Sequence, residues 1–173
     1  FYSVAYDSLY KQMLVISDNF IAEQLMLQVG MELSGKYSVE EGINQALKTY
    51  MADIPQKPRW TDGSGLSRYN LFTPESMVYL LKKMYSEIPR EKLFSYFPVS
   101  GHSGTLKNSF KNEKPFIYAK TGTLSNNFNL SGYLITKKGK VLIFSYMNNH
   151  YLGSSNERKT EMEQIFLELY EKY

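Results

Sequence analysis

Three apolar segments in the last third of the chain, residues 116–122, 128–136 and 140–148, constrain the fold most. They read as strands, and only Lys137-Lys138-Gly139-Lys140 separates the second from the third, a hairpin turn. The first carries Lys120-Thr121-Gly122-Thr123 at the entry to another hairpin. Helices are expected on either side. Residues 4–16 place Leu9, Met13 and Ile16 at helical spacing, and a second helix runs from about Asp18 to Leu33, with Ile21, Leu25 and Met26 among its apolar positions. Ser38 followed by Glu41 is a capping-box signature for a helix through about Met51. Thr73-Pro74 opens another through about Ser86, with proline at its first position. Residues 61–70 are a glycine-rich loop, and 91–110 are short helical or irregular segments. A final helix over about 156–171 presents Met162, Ile165, Phe166 and Leu169 on one face, which should pack on the sheet. The chain is therefore α/β, an antiparallel sheet flanked by helices.

Composition fits one domain over residues 1–173, long enough to bury roughly 70% of the surface its unfolded chain exposes. Its 43% apolar content, with 15% aromatic, excludes a disordered chain. The net charge of +3 arises from 20 basic and 17 acidic residues that are largely interspersed, so no basic stripe marks a nucleic-acid partner. Zero cysteines leave the redox compartment open. No apolar run approaches the roughly 18 residues of a membrane span, and there is no signal peptide or internal repeat. The chain begins with Phe1, from which it is expected to be a piece of a longer polypeptide.

Two short motifs carry chemistry. A chain of this length should contain Lys-Thr-Gly by accident only about 0.04 times, whereas Ser-x-Asn should occur about 0.3 to 0.5 times. Alone, Ser17-Asp18-Asn19 reads sooner as a helix cap at a helix-to-helix corner, and Lys120 can be read as a solvated strand-end lysine. Their joint occurrence in this order favours a site. His102 and His150 form no metal-binding pattern and are taken as surface or loop residues, so no metal is expected. Gly101 to Gly104 and Ser34-Gly35-Lys36 lack the spacing of a phosphate loop, and no cofactor is expected.

Five blocks in one order, Ser17-Asp18-Asn19-Phe20-Ile21-Ala22-Glu23-Gln24, Asp62-Gly63-Ser64-Gly65-Leu66-Ser67-Arg68, Gly104-Thr105-Leu106, Ala119-Lys120-Thr121-Gly122-Thr123-Leu124 and Leu130-Ser131-Gly132-Tyr133, carry a resemblance. The chain resembles the D-alanyl-D-alanine carboxypeptidase/endopeptidase family of low-molecular-mass penicillin-binding proteins, over the C-terminal portion of their penicillin-binding domain. The resemblance implies a β-lactamase- and transpeptidase-like fold and acyl transfer through a serine ester. It implies that Ser17 relays a proton towards the leaving amine and that Asn19, which can both donate and accept, holds the substrate backbone or acyl side chain. Lys120 would place positive charge beside Ser17, and Gly122 would let substrate approach the strand. Thr121 and Thr123 would bind the terminal carboxylate, with the Thr123 backbone amide as one oxyanion donor. The implied partners are peptidoglycan peptides and β-lactams, and the implied location is the periplasm or cell envelope.

The third motif of that family, a Ser-x-x-Lys nucleophile, has only one formal match, Ser8-Leu9-Tyr10-Lys11. Nine residues of helix put Ser8 roughly 13 Å from Ser17, whereas a nucleophile and its relay need about 3 Å. The nucleophile is therefore expected outside this chain, and the chain alone is expected to be inactive. The Asp62 to Arg68 block serves either as a structural turn or as a site wall in which Leu66 touches substrate. Two other functions stay open: a β-lactamase, which shares the motifs, and a non-catalytic domain that binds wall peptides. In the family the 140–148 strand pairs on its outer side with an N-terminal strand that this sequence lacks, so a homodimer through that open edge, a tendency to aggregate or a retained partner fragment is expected.

Overall fold

The computed structural model describes residues 4–173. Helices α1 (Tyr6–Ile16), α2 (Asn19–Ser34), α3 (Val39–Thr49), α4 (Pro74–Glu87) and α5 (Arg90–Ser95) precede a 3-10 turn at Gly104–Leu106. Three strands follow, β1 (Ile117–Leu124), β2 (Asn127–Ile135) and β3 (Val141–Asn149), and then helix α6 (Ser155–Lys172). The strands form one antiparallel sheet in the order β1-β2-β3, as their sequence order and short turns dictate. The second turn closes with the Gly139 amide donating to the Thr136 carbonyl at 2.8 Å.

Helices cover both faces of the sheet. On one, Met162 and Phe166 of α6 pack among Phe116, Ile117, Ala119, Phe128, Leu130 and Leu134. On the other, Leu81 of α4 and Leu93 and Phe94 of α5 enclose Tyr133. Tyr133 is fully buried, and its hydroxyl donates to the Leu81 carbonyl at 2.8 Å, tying α4 to the central strand. Burial pushes its phenol well above the usual tyrosine range. Central placement explains why β2 is buried along most of its length, whereas β3, an edge strand, is half-buried up to its exposed last residue, Asn149.

The helix starts follow the capping residues. The hydroxyls of Ser38 and Thr73 accept from the amides of Glu41 and Ser76, and Pro74 opens α4. The capping box at Ser38 is only half made, because the Glu41 carboxylate accepts from Gln45 Nε2 one turn onward, at 3.3 Å. Two apolar positions expected to face the core do not. Ile16, the last residue of α1, is exposed, and so is Ile165. The buried stripe of α6 runs through Met162, Phe166, Leu169 and Tyr170, which leaves Ile165 on its flank.

Candidate active site

The α1–α2 corner is built from two capping residues. Ser17 ends α1 in the left-handed region, with φ 59° and ψ 52°, and Asp18 starts α2 by accepting from the Ile21 amide at 3.0 Å. A non-glycine residue held there costs of order 1–3 kcal/mol, and such residues cluster at functional sites. Asn19 is the first residue of α2 and is exposed. Ser17 thus caps α1 while its side chain stays free for another partner.

That partner comes from the sheet. Lys120 Nζ donates to Ser17 Oγ at 2.8 Å and to the Thr121 carbonyl at 2.6 Å. Lys120 shares a sheet face and a register row with Ser131 and Ser145, whose hydroxyls bond each other at 2.9 Å and make no competing claim on the ammonium. Among the described residues no carboxylate pairs with Lys120. Burial therefore acts alone and moves its pKa below the usual lysine value. The outcome is a half-buried cation bonded to a serine hydroxyl with its charge uncompensated.

The outer edge of β1 is covered only in part. Ser100 N donates to Ile117 O at 3.0 Å and Ala119 N to Pro98 O at 3.1 Å, so residues 98–100 run beside the strand as far as Ala119. In a strand the groups aimed at one edge alternate, so those of Thr121 and Thr123 follow Ile117 and Ala119 towards this same edge. The Thr121 carbonyl is taken by Lys120, and the Thr123 amide points to the uncovered stretch. Thr121 and Thr123 also share a side-chain face, with Gly122 between them on the other. A Cβ at Gly122 would meet only Asn129 Cβ at 3.8 Å, so protein packing does not demand glycine there.

The Asp62 to Arg68 loop lies between these elements and is tied down by two carboxylates. Glu23, on the first turns of α2, accepts from the amides of Gly63 at 3.2 Å and Ser64 at 2.9 Å. Asp62 accepts from the amides of Gly65 and Ser67 and from Asn70 Nδ2. Arg68 reaches the β1–β2 turn, with Nη2 3.5 Å from the Ser125 carbonyl, and Leu66 is exposed. The loop is thus a fixed turn that also spans from the Ser17 corner to the end of β1.

All six residues singled out in the sequence, Ser17, Asn19, Lys120, Thr121, Gly122 and Thr123, lie at this junction of α1, α2 and β1. Two contributors escaped the sequence. Glu23 acts on amides forty residues away, which no local spacing reveals. Thr105, in the 3-10 turn, bonds Thr121 Oγ1 at 2.8 Å, and only its place in a short block hinted at a role. Ser8 sits exposed on the first turn of α1, the far end of that helix from Ser17.

The profile of the D-Ala-D-Ala carboxypeptidase 3 (S13) family matches residues 3–169. D-alanyl-D-alanine carboxypeptidase DacB of Haemophilus influenzae is 30% identical over 162 residues, which cover 88% of this chain and 33% of that protein. The D-alanyl-D-alanine carboxypeptidase of Actinomadura sp. (strain R39) is 35% identical over 147 residues, 79% of this chain and 27% of that one. The chain therefore spans about a third of the length of these relatives. Penicillin binding protein 4 from Haemophilus influenzae, solved with a β-lactam, superposes with a TM-score of 0.83 at 28% identity, over 95% of this chain and 41% of that one. A class A β-lactamase from Bacteroides cellulosilyticus shares the fold, with a TM-score of 0.70 at 19% identity over 96% of this chain and 63% of that one. With its α/β sheet, its two motifs in order and a profile match over nearly its whole length, the chain belongs to the D-Ala-D-Ala carboxypeptidase 3 (S13) family.

Proposed function

We propose that this chain supplies the proton-relay and carboxylate-binding side of a serine D-alanyl-D-alanine carboxypeptidase or endopeptidase that acts on peptidoglycan peptides in the cell envelope and is acylated by penicillin. Residues 1–173 then form the C-terminal portion of a transpeptidase-like domain. One observation carries the reading: the 2.8 Å contact between Lys120 Nζ and Ser17 Oγ, made by residues 103 positions apart.

The chemistry follows from the atoms at the junction. A serine hydroxyl attacks the scissile carbonyl, its proton passes through Ser17 Oγ to the departing D-alanine nitrogen, and the carbon–nitrogen bond breaks to leave a serine ester. Water then hydrolyses the ester. The Lys120 ammonium favours the ionised state of Ser17 during the relay and attracts the substrate carboxylate. Charge that develops on the carbonyl oxygen meets the Thr123 amide on the open edge of β1. Thr121 and Thr123 hydroxyls hold the carboxylate, and Asn19, exposed at the start of α2, binds the acyl side of the peptide. The nucleophile lies outside these residues, because Ser8 is a helix length from Ser17.

Labelling with fluorescent penicillin tests this, using the complete gene product that carries these residues. A stable label on a serine outside residues 1–173 supports a peptidase. Rapid turnover of the drug indicates a β-lactamase, and absence of label a wall-peptide binder. A label on Ser8 contradicts the assignment of the nucleophile.

A further inference from the structure

The 3-10 turn at Gly104–Leu106 touches both motif-bearing elements. Gly104 has φ +56°, and a Cβ there would lie 2.3 Å from the Val15 carbonyl oxygen, so the turn rests directly on the last turn of α1, two residues before Ser17. Leu106, 2% exposed, anchors it in the core beside β1. Thr105, between them, is exposed and faces Thr121, with their hydroxyl oxygens 2.8 Å apart. Neither the fold nor the relay described above requires a hydroxyl at residue 105.

We infer that Thr105 is a positioning residue for the carboxylate end of the substrate: it holds the Thr121 hydroxyl and reverses the direction of their hydrogen bond when a carboxylate arrives. This rests on the reading of Thr121 as a carboxylate ligand. A hydroxyl has one proton and two acceptor positions. The Thr121 proton is donated to Thr105 Oγ1. A carboxylate offers only acceptors, so Thr121 binds it by turning that proton away from Thr105. The Thr105 proton then turns to Thr121 Oγ1 through a small rotation of the Thr105 side chain, since the present geometry suits Thr121 as the donor. A hydroxyl that accepts one hydrogen bond while giving another is the stronger donor, since the two bonds polarise one another. Without Thr105, the Thr121 hydroxyl loses both its orientation and this polarisation.

The test compares an acyl-D-alanyl-D-alanine peptide with its terminal carboxamide, in the complete gene product. Thr105→Val should lower kcat/KM for the carboxylate peptide about fivefold, chiefly through KM, the scale of one net hydrogen bond. The carboxamide should change by less than about twofold, and Thr105→Ser should restore the carboxylate peptide, which a packing role would not require. Equal losses on both substrates would overturn the inference. So would an unaffected Thr105→Val enzyme in which Thr121→Val shows a carboxylate-selective loss. If Thr121→Val shows no such selectivity, the reading of Thr121 fails first and the inference falls with it.

Discussion

At the scale of single residues, the consequential fact is an ammonium whose pKa burial lowers and which no carboxylate offsets. Its folded-state value lies below the ordinary lysine value of 10.5, so between the two the unfolded chain binds the extra proton and stability rises with pH across that window. Denaturant midpoints measured through this alkaline range should rise for the native chain, and Lys120→Met should remove the rise. If the proposed relay uses the ammonium form, acylation of the complete gene product should fall as pH climbs through the same window. Thr123→Val makes a separate prediction, since it removes a hydroxyl but leaves the backbone amide. It should weaken binding of a carboxylate-terminated peptide by about 1 to 3 kcal/mol and spare the carboxamide. An equal loss on both would show that the hydroxyl does not bind the carboxylate. The two motifs were legible in the sequence because Lys-Thr-Gly is rare by chance and Ser17-Asp18-Asn19, weak alone, precedes it in order. Thr105 was not, because its role depends on a partner sixteen residues away.

At the scale of elements, the Glu23 carboxylate makes the first turns of α2 and the Asp62 to Arg68 loop one unit. Glu23→Ala leaves two half-buried amides without that acceptor and should destabilise the chain by about 1 to 3 kcal/mol, measured by chemical denaturation, with earlier proteolysis within 62–68. Unchanged loop proteolysis would show that Asp62 alone holds the turn. Most element positions were readable beforehand: Thr73-Pro74 marks the start of α4, and Gly139 the β2–β3 turn. The misses have separate causes. Periodicity finds a stripe but not its exact azimuth, so it turns Ile165 inward, whereas the covered face runs through Met162, Phe166, Leu169 and Tyr170. At the start of α3 the spacing puts Glu41 within reach of its cap, but its carboxylate accepts from Gln45.

At the scale of the whole molecule, β3 bears no strand on its outer side among the described residues, and its apolar run Val141-Leu142-Ile143-Phe144 is only half-buried. An open apolar edge recruits strands, so the isolated chain should self-associate with rising concentration in light scattering. A concentrated, stable monomer would argue that the helices on both faces protect this edge sufficiently. At the opposite edge of the sheet Ser17 and Lys120 are proposed to act as one unit. A double-mutant cycle on penicillin acylation in the complete gene product tests that coupling. Ser17→Ala and Lys120→Ala should each slow acylation by about 10²- to 10⁴-fold. The double variant should be hardly slower than the worse single one, because the second change removes a group already without its partner. Losses that multiply would mean that the two residues act independently, and would contradict the proton relay.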